Sequence, residues 1–277
     1  MNHTYTKNIV VFIDILGFKD IISQTESSDS KLHAILNALG YLKKLESPYK
    51  WSTELVEIEE CAQYKGLQDF NLTGLIKCTC FSDSIVISIP VNTETINPVA
   101  STLIANLASF GANLITKKVL LRGGITIGNL IHTSDGIVMG KALIDAYHLE
   151  ASSAIYPRII ISDKLVDQLN YPILKKRDSY PYHQYLSRFD DGCIGFTQFI
   201  FFQVLQSNSI ISSDKIKAEL EKVADTIIEG LNSSVEKSRV YEKYHWLKKQ
   251  YEKLTILDQK TKPLIKYPME NTILYFR

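Results

Sequence analysis

The chain has 277 residues, 31 Lys plus Arg against 30 Asp plus Glu, and 45% hydrophobic residues. That length supports one large domain, or one core domain with an elaboration, with a substantial hydrophobic core, and the 10% aromatic content excludes a disordered chain. A formal net charge of +1 removes the generic electrostatic case for a nucleic-acid or membrane-surface partner.

Asn8 to Ile13 is an apolar, β-branched run that predicts a buried strand. Asp14 to Gly17 breaks it, and Phe18 to Ser23 begins a helix. Leu32, Ile35, Leu36, Leu39 and Leu42 recur at helical spacing between Lys31 and Leu45, whereas Lys50 to Asn71 reads as an irregular insertion. Leu75 to Ile89 splits at Phe81-Ser82-Asp83 into two strand-like halves, a hairpin with an acidic tip. Pro98 to Thr116 predicts a helix with Pro near its start and an apolar stripe from Val99 to Leu114.

Val119 to Gly128 reads as a strand, Lys141 to Ala151 as a helix and Pro157 to Ser162 as a strand. A helix near Asp163 to Leu169 and a strand-like Cys193 to Leu205 follow. Ser212 to Leu254 is a long polar helical region that Gly230 and Asn232 divide. The order predicts an α+β sandwich of ferredoxin-like connectivity, a largely antiparallel mixed sheet with helices on one face. Residues 1–205 form the expected core domain and 206–277 a C-terminal helical extension packing on it.

The apolar runs fall short of the roughly 18 to 20 residues of a membrane-spanning helix, and the N-terminus does not fit a signal peptide. Four Cys show no CxxC spacing. A soluble, cytoplasmic protein is expected.

Asp14 leaves a buried strand before a Gly turn and a helix start. It is either a helix cap or a ligand for a hard cation, beside helix N–H groups suited to phosphate oxygens. Asp83 at the hairpin tip is a turn residue or a second ligand. In a βαββαβ sheet these two ends lie side by side, and two carboxylates bridging two divalent ions are the hardware for in-line displacement at phosphorus.

Four blocks resemble class III nucleotide cyclases, in the family's order over roughly residues 8 to 162. They are Val10–Ile22 (VVFIDILGFKDII), Cys78–Ser88 (CTCFSDSIVIS), Leu121–Ile131 (LRGGITIGNLI) and Met139–Ser162 (MGKALIDAYHLEASSAIYPRIIIS). The purine-reading Lys of that family falls here on Thr79 and its partner Asp on Ile137. The Asn and Arg that steady phosphate charge fall on Ile144 and His148. Leu-Gly-Phe, Phe-Ser-Asp-Ser, Arg-Gly-Gly-Ile and the block ending Ala-Tyr-x-Leu-Glu are similar to the bacterial pyrimidine cyclases of Pycsar antiphage systems. So is Arg239–Tyr251 (RVYEKYHWLKKQY).

The resemblance implies a homodimeric uridylate or cytidylate cyclase that makes cyclic UMP or cyclic CMP from UTP or CTP. A separate cyclic-nucleotide-activated effector would read the product. Asp14, the Ile15 carbonyl and Asp83 would hold two Mg²⁺ or Mn²⁺ ions, and the Gly17 and Phe18 amides the triphosphate. Thr79 and Tyr147 would line the base. Arg122 is either a structural salt bridge or a triphosphate ligand. Tyr147 is a core or interface aromatic or a base contact, Lys19 a solvated side chain or a phosphate contact, and His148 a packed or a catalytic group. A purine cyclase and a non-catalytic nucleotide-binding module are the competing readings.

Overall fold

The computed structural model describes residues 4–25, 36, 72, 74–169, 184–207 and 212–254. The expected helix at Lys31 to Leu45, apart from helical Leu36, and the whole segment from Lys50 to Asn71 lie outside them.

Strand β1 (Thr6–Ile15) turns through Leu16-Gly17 into α1 (Phe18–Thr25). The hairpin β2 (Lys77–Phe81) and β3 (Ser84–Pro90) precedes α2 (Ile96–Ile115) and β4 (Leu121–His132). In the sheet the order runs β2-β3-β1-β4, each pair antiparallel, which is the ferredoxin-like arrangement expected of βαββαβ. Beyond β4 the sheet continues with β6 (Arg158–Ile161), parallel to β4, and then β8 (Ile194–Thr197) and β7 (Ser187–Arg188). The sheet is therefore mixed and largely antiparallel, as the sequence pattern predicts.

Alternation along β1 sorts the two faces. Ile9, Val11, Ile13 and Ile15 point into the main core, while Val10 and Phe12 point to the other side. The main core is closed by α2, by α5 (Ile200–Ser207) and by the two C-terminal helices, α6 (Ser213–Ser233) and α7 (Ser238–Glu252). The apolar stripe Ile216, Leu220, Val223, Ile227 and Leu231 is what α6 buries. Helix α2 is long and apolar enough to cross a membrane by length and composition, but it lies buried in this core.

Three expectations need correction. Helices do not lie on one face: α3 (Lys141–His148), with the π-helical turn Leu149–Ser153 that continues it, packs on the opposite face through Ala142 and Ala146. A ribbon with β5 (Val138–Met139) on the end of β4 leads into α3, and so carries the chain across the sheet edge. Cys193 to Leu205 is not one strand, because Gln198 and Phe199 turn it from β8 into α5; Gln198 is buried and bonds the backbone of Gly111, Val119 and Leu121. The C-terminal region divides at Ser234 to Lys237 and not at Gly230, which stays inside α6. A short helix α4 (Asp163–Val166), capped by Ser162, matches the expected one.

Candidate functional site

The site gathers on the α3 face, at the end of β1. Because directly paired residues share a face, Asp14 stands in one row with Ser84 and Arg122, and Phe12 in the next with Val86, Thr79 and Gly124. The Ile15 N–H donates to the Asp83 carbonyl at 3.1 Å, so the β1 end and the hairpin tip are joined through the backbone. Gly17 takes φ +75°, which lets the chain reverse sharply into α1 and sets the Gly17 and Phe18 amides at its head. The Ile15 side chain is buried in the core, leaving only its backbone to face the site.

Arg122 anchors the charges. Its Nε donates to Asp14 Oδ2 at 3.0 Å, and Glu150 Oε1 lies 2.5 Å from the same Nε as an ion-pair contact without hydrogen-bond geometry. Glu150 comes from the π-helical turn and is 2% exposed. Gly124 makes this possible: a Cβ there would meet the Ala146 carbonyl oxygen at 2.7 Å and the Glu150 nitrogen at 3.1 Å. The pair Gly123-Gly124 in the sequence is thus a close-approach device, letting α3 lie on β4 and push Glu150 against Arg122.

Burial pushes the Asp14 carboxyl upward; Arg122 opposes this, and the nearby Asp83 carboxylate adds to it. Glu150 is lifted to about 7, by burial first, with Arg122 pulling down and Asp14 and Asp83 pushing up. Half-buried Lys243 of α7 joins the group: burial and the Arg122 cation hold its ammonium low, against Asp14 and Glu150. Asp14, Asp83 and a Glu150 that is only partly ionised near pH 7 face two cations and present hard oxygen donors. That donor set fits a divalent cation of the Mg²⁺ or Mn²⁺ kind. Among the described residues no three His, Cys, Asp or Glu side chains form a ready-made metal cluster, so the remaining ligands would be backbone and substrate oxygens.

Sequence reasoning named Asp14, Ile15, Asp83 and Arg122, and the fold brings them together. It missed Glu150 as a charge partner and Lys243 altogether. Glu150 was visible as an acid between apolar neighbours late in a helical block, whereas Lys243 is 121 positions from Arg122 and carries no local signal.

What holds Lys243 there is a buried cation. Arg158 is 1% exposed and pairs with Asp191, and it donates to the Ser153 carbonyl at 2.9 Å. Its guanidinium sits 4.8 Å from the Phe189 ring, 5.5 Å from Trp246 and 5.7 Å from Tyr156. Trp246 stacks on Tyr156 at 4.9 Å, and the Tyr156 hydroxyl donates to Glu242 at 3.0 Å. These contacts fasten α7 to the end of the Glu150 turn.

The other expected residues are more dispersed. Tyr147 is 49% exposed and meets Phe12 edge-on at 5.4 Å. Ile144, His148 and Lys19 are exposed. Thr79 lies next to the turn carrying Ile137, since a Cβ on Gly136 would stand 3.7 Å from its hydroxyl. The Thr79 hydroxyl is bonded to His132. Cys78 packs against the core, while Cys80, on the same strand face, is exposed at the sheet edge.

No protein-family model matches the sequence, and no curated protein matches it. Solved structures do pair with part of the chain. The guanylyl cyclase Cya2 is 11% identical over 61% of this chain and 80% of its own, with a TM-score of 0.38. The catalytic core of a rhodopsin-guanylyl cyclase with converted specificity, in complex with ATPalphaS, is 13% identical over 70% and 96%, at 0.39. An adenylate/guanylate cyclase/hydrolase from Silicibacter pomeroyi is 15% identical over 69% and 95%, at 0.37. Similarity that remote bears on neither substrate nor chemistry.

Proposed function

We propose that the protein is a pyrimidine nucleotide cyclase, converting UTP or CTP to the 3′,5′-cyclic monophosphate and pyrophosphate. The observation that carries this reading is the join between the β1 end and the β2–β3 tip, which sets Asp14 and Asp83 together beside Arg122. Asp14, Asp83 and the Ile15 carbonyl would hold two divalent ions, which when bound lower the pKa of the 3′-hydroxyl and offset phosphate charge. In this reading the Gly17 and Phe18 amides receive phosphate oxygens at the head of α1. Arg122 steadies Asp14 in its ionised form, and Lys243 offers a second cation toward the departing pyrophosphate. The ribose 3′-oxygen attacks the α-phosphorus as the bond to the β-phosphate oxygen breaks, with no covalent enzyme intermediate.

Residues 1–205 would be the catalytic unit and 206–277 the extension supplying Lys243. A homodimer fits the exposed apolar side chains Ile137, Met139, Ile144 and Tyr147 on β5, α3 and the turn before them. The antiphage role and a separate effector for the product belong to the same reading through the sequence resemblance. A purine cyclase is disfavoured by Thr79 and Ile137, which offer one hydroxyl and one aliphatic chain to a base edge rich in polar groups.

The test is to incubate the purified chain and Mn²⁺ with each of the four nucleoside triphosphates and resolve products by mass spectrometry. Cyclic UMP or cyclic CMP is expected well ahead of cyclic AMP and cyclic GMP. Asp14→Asn and Asp83→Asn should each abolish product while leaving the melting temperature near the parent's. A variant of either kind with near-normal turnover removes the mechanism, and cyclic AMP as the major product removes the pyrimidine assignment.

A further inference from the structure

The end of β4 reaches β2 and β3, where it links Thr79 to an imidazole and a hydroxyl, His132 and Ser88, that the mechanism above leaves unused. His132 is 8% exposed; its Nε2 lies 2.8 Å from Thr79 Oγ1 and its Nδ1 2.7 Å from Ser88 Oγ. Burial, with the Lys77 ammonium second, holds the imidazole down to about 4. The ring is therefore neutral near pH 7, with one nitrogen donating and the other accepting.

Ser88 decides which. It is 1% exposed, and His132 Nδ1 is the partner its hydroxyl finds among the described residues. If Ser88 accepted a proton from Nδ1, its own hydroxyl hydrogen would be buried without an acceptor, which folded proteins tolerate far less readily than an idle lone pair. Ser88 therefore donates to Nδ1, the ring proton sits on Nε2, and Nε2–H donates to Thr79. The Thr79 oxygen then accepts from His132 on one lone pair, and its own hydrogen is left to find a further acceptor.

Thr79 faces the same side of the sheet as Asp14, two strands across and two residues along, a Cα separation of about 12 Å from strand geometry. That suits a nucleotide whose α-phosphate is at Asp14 and whose base reaches toward β2. The substituent at C4 of a pyrimidine lies opposite the glycosidic nitrogen and extends farthest from the phosphates. Uracil presents a carbonyl acceptor there, and cytosine an amino donor.

We propose that His132 and Ser88 fix Thr79 as a hydrogen-bond donor to the base, and that the site thereby selects uracil over cytosine. This rests on the pyrimidine cyclase reading and sharpens it to UTP. His132 and Ser88 are positioning residues that act through Thr79. The uracil carbonyl accepts the Thr79 hydrogen, whereas the cytosine amino group could be accepted only on the remaining Thr79 lone pair, which leaves the hydroxyl hydrogen without an acceptor in the base.

Two measurements test it. Nitrogen-15 NMR of the full chain with labelled histidine, assigned by the signal missing from His132→Gln, should show the Nε2–H tautomer at His132. The Nδ1–H tautomer would overturn the proposal whether or not the protein turns over any nucleotide. Separately, kcat/KM for UTP and CTP is compared in the parent, Ser88→Ala and Thr79→Val. The parent should favour UTP by about tenfold or more, and both variants should bring the ratio near one, mainly by losing UTP. A parent that favours CTP, or a ratio unchanged in Ser88→Ala, overturns the relay while leaving the cyclase intact. A parent that cyclises neither pyrimidine removes the functional reading and this inference with it.

Discussion

Replacing Arg122 with Met takes the cation out of the Asp14, Arg122 and Glu150 group and keeps most of its side-chain volume. Glu150 is 2% exposed and already lifted to about 7, by burial foremost, with Arg122 pulling against that rise. Without the guanidinium, both Glu150 and Asp14 move further up, because the same cation opposes burial at each. Breaking a buried ion pair from one side costs about 3 to 5 kcal/mol, and Arg122 at 25% exposed belongs at the lower end of that range. A loss of about 3 kcal/mol corresponds to a melting temperature about 6 to 12 °C lower at pH 8.

The pH dependence follows from the direction of the shift. A carboxyl whose folded pKa is raised contributes stability that is full below the unfolded value and is lost as pH rises through the folded value. In the parent that loss runs from 4.5 to about 7; in Arg122→Met it extends above 7. The gap between parent and variant should therefore be small at pH 5.5 and large at pH 8, as read by calorimetry at both. Equal gaps would show that Arg122 acts by packing and not by charge, and would refute the electrostatic account of the site.

Gly124→Ala should cost about 1 to 3 kcal/mol, since the added methyl meets backbone of α3 and the turn after it, and should also cut turnover by displacing Glu150. Thermal melting and product formation check it; an unperturbed double readout would mean that α3 is free to shift. Lys243→Met should lower turnover about tenfold at nearly unchanged melting temperature, because a half-buried ammonium loses its desolvation cost together with its partners. Full activity in that variant would remove α7 from the site. Trp246→Ala should destabilise by about 3 kcal/mol by opening the ring cage around Arg158, and should reduce turnover through α7. A stable variant with normal activity would break the proposed link.

Local pattern determined much of this protein. The β-branched run before Asp14, the acidic hairpin tip and the Pro-headed apolar helix each carry their own periodicity or turn chemistry, and together they place Asp14 and Asp83 side by side through βαββαβ connectivity. Gly17 and the Gly123-Gly124 pair were legible as punctuation, though not what they accommodate. The tertiary structure decided the rest. Cys193 to Leu205 is mostly apolar, and a run of that kind has no clear period to separate strand from helix; the buried amide of Gln198 makes the turn. The side of the sheet that α3 covers depends on how the β5 ribbon leaves β4, which no local spacing encodes. Glu150 acquires its charge partner only when Gly124 lets α3 lie on β4, and Lys243 its place beside Arg122 only when Arg158 and its three rings fasten α7 to the end of the turn. Electrostatics and ring packing between residues far apart in sequence depend on distance in space, and the chain reveals that distance only once folded.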